Sequence, residues 1–329
     1  MTSPILVTGA TGFLGRHVCR ELQESGHTVR AIGRSDGADL RAMGVEYVCG
    51  SILDDKPLME ATDGVEHAYH LAGWVSRDPK DAEAMRAIHV EGTRRMVEAL
   101  SASGCRRVVY ASSTGTIAAS TDPHACADES TPYPLSVVGK WPYYETKIEA
   151  EELGFNLARE RGLEWIAINP SLILGPGDSG GSSTGDVIQV MRKQIPAIPP
   201  GGVSFVDVRD VATGALLAME KGVPGERYIL AAANWSLETF IKQIGVAGGV
   251  KTPTLTSPGW LTVNSARIVE PIYRLLGKTP PLDLASAQMS CLYWYADSSK
   301  AKTELGFRPR DPMVTLRDTV DDLQQQGLI

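Results

Sequence analysis

Two groups of residues could do chemistry together. The first is Trp141-Pro142-Tyr143-Tyr144-Glu145-Thr146-Lys147, which reads as the start of a helix with Pro142 pre-set for its first turn. Tyr143 and Lys147 are four apart and so share one helical face. An ammonium beside a phenol favours the phenolate, so Lys147 is expected to lower the Tyr143 pKa. That would make Tyr143 a proton donor or acceptor nearer neutral pH. Tyr-x-x-x-Lys alone proves little; its weight comes from lying on a helix after the Arg107–Ser112 strand, where a crossover returns it to the crevice at the strand ends. That strand runs into Ala111-Ser112-Ser113-Thr114-Gly115. A serine there points into the crevice and could hold a substrate carbonyl, although the same run also reads as an ordinary loop.

The second group is Gly9-Ala10-Thr11-Gly12-Phe13-Leu14-Gly15, with glycines spaced Gly-x-x-Gly-x-x-Gly. It follows the first strand directly and opens a helix. Backbone N–H groups at a helix N-terminus bind a pyrophosphate, and glycine permits the tight turn and the close approach. The second strand ends Ala31-Ile32-Gly33-Arg34-Ser35. An NAD site usually carries an acid here for the ribose 2′-hydroxyl. Arg34 suits a 2′-phosphate instead, so the sequence favours NADP over NAD. A solvated arginine, or one stacked on adenine, is the structural alternative.

The elements that must position these groups alternate. Strands are expected at Ile5–Thr8, Thr28–Gly33, Glu46–Cys49, Glu66–Leu71, Arg107–Ser112 and Trp165–Asn169, with helices at Phe13–Ser25 and Ala82–Ser103 among them. Nearly continuous apolar strands separated by helices imply a parallel sheet covered on both faces. The expected fold is α/β: a Rossmann-type doubly wound parallel sheet with a smaller mixed C-terminal substrate lobe. The dinucleotide-binding domain is 1–170, with a return around 203–230; the lobe is 171–202 and 231–329. Trp260 to Leu276 reads as an amphipathic helix, packed on the rest of the protein or meeting a membrane surface or partner.

Composition bounds the remaining classes. The 329 residues are 43% hydrophobic and 22% charged, ordinary for a globular chain. The net charge of −7, without a basic stripe, argues against nucleic acid. Five scattered cysteines with no Cys-x-x-Cys fit a reducing compartment. The N-terminus lacks the pattern of a signal peptide, and no run approaches the ~20 apolar residues of a membrane span, so a cytoplasmic location is expected. His67 and His70, three apart on a strand, face opposite ways. With no Cys/His cluster, no metal site is expected. The Gly-x-Ser-x-Gly hydrolase elbow is absent. Trp141, Trp260, Tyr293 and Trp294 could line an apolar or aromatic pocket, or be core. Arg192, Lys193 and Arg209 leave open a nucleotide-sugar substrate, whose diphosphate needs basic residues.

Taken together these residues resemble the extended short-chain dehydrogenase/reductase family. Further matching segments are His70-Leu71-Ala72-Gly73, Asn169-Pro170-Ser171, Gly175-Pro176-Gly177-Asp178, Phe205-Val206-Asp207-Val208-Arg209-Asp210-Val211-Ala212 and the closing Asp297–Pro309 stretch. Within the family the chain is most similar to dihydroflavonol reductase-like enzymes. The resemblance implies that Ser113 orients the carbonyl, Tyr143 transfers the proton, and Lys147 holds the nicotinamide ribose and tunes Tyr143. It places Gly9, Thr11, Gly12, Phe13, Leu14 and Gly15 around the pyrophosphate and Ser51 and Ile52 at the adenine. Leu71, Ala72, Gly73 and Val75 would lie along the middle of the cofactor, and Pro170 and Ile173 beside the nicotinamide. Three points depart from the pattern or rest on it alone. Ser51 stands where the family has Asp, His89 replaces the family's Asn, and the choice of Ser113 over Ser112 rests on the family pattern. His89 either takes over the Asn's hydrogen bond, adds a titrating group, or is a satisfied structural histidine. The expected activity is NADP-dependent reduction of a ketone on a small, apolar or aromatic substrate, or the reverse oxidation. A nucleotide-sugar epimerase or dehydratase with tightly held NAD is the alternative. A non-catalytic NADP sensor is a further alternative, although such proteins often lose the tyrosine or lysine kept here. A homodimer is implied by family likeness only.

Overall fold

The computed structural model describes residues 3–181, 183–275 and 282–329. The strands are β1 (Ile5–Thr8), β2 (Val29–Gly33), β3 (Glu46–Cys49), β4 (His67–His70), β5 (Arg107–Ala111) and β6 (Glu164–Pro170). They continue with β7 (Leu172–Leu174), β8 (Gly202–Asp207), β9 (Arg227–Leu230), β10 (Ala233–Ser236) and β11 (Tyr293–Trp294). Seven of them form one sheet in the order β3-β2-β1-β4-β5-β6-β9, parallel throughout. Ile5 pairs with Val29 on one side and His67 on the other, so the order reverses between β1 and β4. In a doubly wound sheet, that reversal opens a crevice at the carboxyl edge. The turns after β1, β4, β5 and β6 all leave from this edge.

Both faces are covered. The Phe13–Glu24 and Val208–Lys221 helices pack one core around Val7, Val18, Val109 and Ile168. The Asp55–Thr62, Gly92–Ala102 and Pro142–Arg161 helices pack the other, around Leu6, Met96, Val108, Tyr110 and Trp165. Double coverage explains why β1 is buried at all four residues and shows no polar alternation. A second sheet places β8 between antiparallel β10 and parallel β11, with β7 also pairing β8. The segment 203–230 therefore divides between the sheets: β8 lies in the small one, β9 in the large one.

Three local differences from the sequence expectation matter. The Asp55–Thr62 helix was not anticipated. The helix expected over Ala82–Ser103 is interrupted at Ala87–Glu91 by a π-helical turn that carries His89. Such turns insert a residue and re-aim the side chains around it. Third, the Gly259–Leu275 helix runs through Pro271 and buries Thr262 and Ala266. Trp260, Ile268 and Ile272 face outward. Leu276 lies outside the described residues.

Candidate active site

The glycine turn is shaped by close approach. Gly9 has φ +69°, and a Cβ there would sit 2.8 Å from the backbone of Leu71 and Ala72. A Cβ on Gly15 would overlap the Gly9 carbonyl oxygen. The N-cap of the Phe13–Glu24 helix is Gly12, and no side chain caps it. The first N–H groups of that helix are therefore left for a ligand, and the exposed Gly12 leaves the approach clear. This donor set fits a dinucleotide pyrophosphate. Thr11, Phe13 and Leu14 are half-buried around the same turn.

At the end of β2 a Cβ on Gly33 would lie 2.5 Å from the Tyr47 hydroxyl, which donates to Ser35 O at 3.0 Å. Tyr47 thus excludes an acidic side chain from this position. Arg34 beside it is exposed and makes no hydrogen bond or ion pair among the described residues. Ser51 Oγ accepts from Leu53 N at 3.1 Å, and its own proton remains available to donate. Ile52 is buried under Gly92, where a Cβ would meet Ile52 Cδ1 at 2.7 Å.

Past β4 the chain enters the exposed stretch Gly73, Trp74 and Val75, preceded by half-buried Leu71 and Ala72. Ala72 N donates to Thr8 Oγ1 at 3.1 Å, and Trp74 N donates to His89 Nε2 at 3.0 Å. His70 is buried between Thr8 and Thr93, whereas His67 lies beside Arg106, so the two rings do face apart. Pro170 ends β6 and Ile173 lies half-buried in β7 on the same side of the crevice.

Tyr143 and Lys147 lie on the Pro142–Arg161 helix, and Ser113 follows the end of β5. The Ser113 side chain acts on Tyr143, opposing the rise of its pKa, whereas the Ser112 hydroxyl is buried without a partner among the described residues. That geometry singles out Ser113. Its Oγ also accepts from Gly115 N at 3.1 Å, which fixes the rotamer. Lys147 Nζ donates to Ala111 O at 2.7 Å and to the Tyr110 hydroxyl at 3.3 Å. Burial pushes its pKa down to about 8, against the pull of Glu151 one turn further on. The expected lowering of the Tyr143 pKa is not found. Burial raises it, the Ser113 side chain opposes the rise, and the ammonium is spent on Ala111 and Tyr110. Tyr143 is therefore held as a neutral phenol.

Sequence reasoning missed the carboxylate behind Lys147. Glu151 is fully buried and accepts from Asn169 Nδ2 (2.9 Å), the Tyr133 hydroxyl (3.1 Å) and Thr116 Oγ1 (3.4 Å). Arg227 Nη1 lies 3.4 Å from it. Asn169 Nδ2 also donates to Ser113 O at 3.2 Å, tying this network to the Ser113 turn. Breaking such a buried charge pair costs about 3–5 kcal/mol. The signal was present: Tyr143, Lys147 and Glu151 are spaced i, i+4, i+8.

An aromatic shelf extends outward from the phenol. Tyr143 and Tyr144 meet at 5.1 Å, Tyr144 stacks on Trp294 at 5.1 Å, and Trp294 lies 6.5 Å from Trp141. Gly115 makes room, because a Cβ there would overlap the Tyr144 ring. Trp260 is not part of the shelf, being 68% exposed on its own helix. Tyr293 packs on Tyr295. The basic residues that left a nucleotide sugar open are turned elsewhere. Arg209 pairs with Asp207 at 2.7 Å and Asp318 at 2.6 Å, and Arg192 donates to Leu328 O. Lys193 is exposed, in a left-handed conformation at the end of its helix.

Residues 5–231 match the NAD dependent epimerase/dehydratase family. The chain is 34% identical to a Synechocystis sp. protein provisionally named dihydroflavonol 4-reductase, covering 100% of this chain and 97% of that protein. It is 30% identical, over 98% of its own length and 96% of the relative's, to a Stigmatella aurantiaca enzyme named 4-hydroxy-2-methyl-3-oxo-4-farnesyl-3,4-dihydroquinoline-1-oxide ketoreductase. The crystal structure of gox2253 superposes with a TM-score of 0.86 at 33% identity, with all of both chains covered. With this fold, a glycine-turn helix end free for phosphate and reductase-named relatives along its whole length, the chain belongs to the NAD dependent epimerase/dehydratase family of extended short-chain dehydrogenase/reductase enzymes, and is an NAD(P)-dependent oxidoreductase.

Proposed function

We propose that this enzyme uses NADP(H) to reduce a ketone on a small apolar or aromatic molecule to a secondary alcohol, or runs the reverse oxidation. The observation that carries the reading is the Tyr143 ring at the inner end of the Tyr144–Trp294 aromatic shelf, with Ser113 acting on its phenol. Residues 171–202 and 231–329, which include Trp294, form the substrate lobe around β8.

The bound dinucleotide supplies the hydride. The chain's own residues do the rest. Ser113 Oγ gives up its internal contact to hydrogen-bond the substrate carbonyl and hold it against Tyr143. Tyr143, protonated because burial raises its pKa, donates its proton to the oxygen as the new C–H bond forms. Lys147 holds the nicotinamide ribose from its anchorage on Ala111 O and the Tyr110 hydroxyl. The Gly9–Gly15 turn holds the pyrophosphate, Ser51 and Ile52 the adenine, and Leu71, Ala72, Gly73 and Val75 the centre. Pro170 and Ile173 border the nicotinamide. Arg34 grips the 2′-phosphate, and the absence of an acid at Gly33 removes the group that would repel it.

Engagement of Arg209 and Arg192 by Asp207, Asp318 and the Leu328 carbonyl supports an uncharged substrate over a nucleotide sugar. The test is a panel of aryl and alkyl ketones and UDP-sugars, followed by reduced-dinucleotide absorbance and product analysis. Net NADPH oxidation with an apolar ketone is expected. Stoichiometric bound NAD with sugar interconversion and no net cofactor turnover would replace this reading by the epimerase one.

A further inference from the structure

We infer that His89 is a positioning residue that clamps the cofactor-facing stretch after β4 to the first turn of the Tyr143 helix. This rests on the proposed dinucleotide site. The clamp is visible as a directed chain of hydrogen bonds. Trp74 N–H donates to His89 Nε2 at 3.0 Å, so that nitrogen carries no proton. The proton of the neutral ring is therefore on Nδ1, which donates to Thr146 Oγ1 at 2.8 Å. The Thr146 hydroxyl proton in turn goes to Pro142 O at 2.7 Å, with Tyr143 O at 3.1 Å. The chain starts on a backbone N–H in the exposed 73–75 stretch and ends on backbone carbonyls bracketing Tyr143.

Its surroundings hold the ring neutral. Burial is the main cause that disfavours an imidazolium, Lys147 on the Tyr143 helix and His70 on β4 add to it, and the Tyr143 ring packs edge-on at 5.8 Å. His89 itself is 1% exposed. Gly73 is the meeting point: a Cβ there would lie 3.6 Å from His89 Nε2 and 4.0 Å from Lys147 Nζ. The π-helical turn at Ala87–Glu91 carries the ring between the two elements. Because Nε2 already accepts from Trp74 N–H and Nδ1 carries the proton that goes to Thr146, His89 has no free acceptor for the Tyr143 proton. It acts by holding atoms in place, not by passing protons.

The two nitrogens can be tested separately. A glutamine amide reaches the Nε2 position and an asparagine amide the Nδ1 position. His89→Gln keeps an acceptor for Trp74 N–H, His89→Asn keeps a donor for Thr146, and His89→Phe keeps neither. NADPH binding is measured by fluorescence titration and kcat by turnover, with thermal melts for each variant. The expected result is about tenfold weaker NADPH binding for the Phe and Asn variants, from loss of the acceptor that fixes the Trp74 N–H. The Gln variant should bind within about twofold of wild type and lose kcat instead. Wild-type binding by His89→Phe, or binding by His89→Gln as weak as by His89→Phe, would overturn the inference. Failure of the wild type to bind any nicotinamide dinucleotide would instead overturn the proposed function.

Discussion

Replacing Tyr143 by Phe removes one oxygen and separates chemistry from structure. Within the protein Ser113 is the side chain that acts on that hydroxyl. Losing a polar contact of this kind costs at most about 1 kcal/mol in stability. In a domain of this size that shifts the melting temperature by only a few degrees (~2–4 °C per kcal/mol). The ring stays in its packing against Tyr144 and His89. None of the roles proposed for holding the dinucleotide uses the phenol proton, so cofactor affinity should hold. Turnover should not: a positioned general acid contributes about 10²–10⁴-fold, or about 3–5 kcal/mol of barrier. The assay combines NADPH consumption at saturating ketone, direct NADPH titration and a thermal melt. Tyr143→Phe retaining more than about a tenth of wild-type kcat, against that expected loss, with folding and NADPH affinity intact, would falsify the acid–base assignment.

Other outcomes follow from the same geometry. Lys147→Met should abolish turnover without lowering thermal stability, because burial already depresses the Lys147 pKa to about 8 and neutralising the ammonium relieves that cost. For the same group the unfolded chain binds more protons than the folded one between pH about 8 and 10.5, so its contribution to stability rises with pH across that window. His70 and His89 have folded pKa values of about 3, below the usual 6.5, so stability should fall as pH drops from 6.5 towards 3, as read by urea melts at stepped pH. Arg34→Ser should weaken NADPH binding about 10–100-fold while leaving NADH binding unchanged, since a charge-assisted bond to phosphate is worth about 1.5–3 kcal/mol; equal losses for both cofactors would sink the 2′-phosphate role. Trp294→Ala should raise KM for aryl ketones more than for short alkyl ones, measured as paired kcat/KM values; a uniform loss would make the shelf structural.

The sequence by itself determined the large sheet, the glycine turn and the Tyr143–Lys147 spacing. These are local or periodic properties: β1 is apolar because it is covered on both faces, and Gly9 is glycine because its own backbone angle and the Leu71–Ala72 backbone leave no room for a Cβ. The four-residue spacing likewise fixes a shared helical face whatever the rest of the chain does. Tertiary structure alone decided where charges and protons sit. Lys147 points to Ala111 and Tyr110 because β5 passes beneath its helix, so Tyr143 is governed by burial and Ser113 instead of by the ammonium. The choice between Ser112 and Ser113, the capture of Arg209 by Asp207 and Asp318, and the proton position on His89 each depend on partners brought together from distant parts of the chain. Hydrogen bonds and buried charges are decided over a few ångströms, a distance that residue order along the chain does not encode.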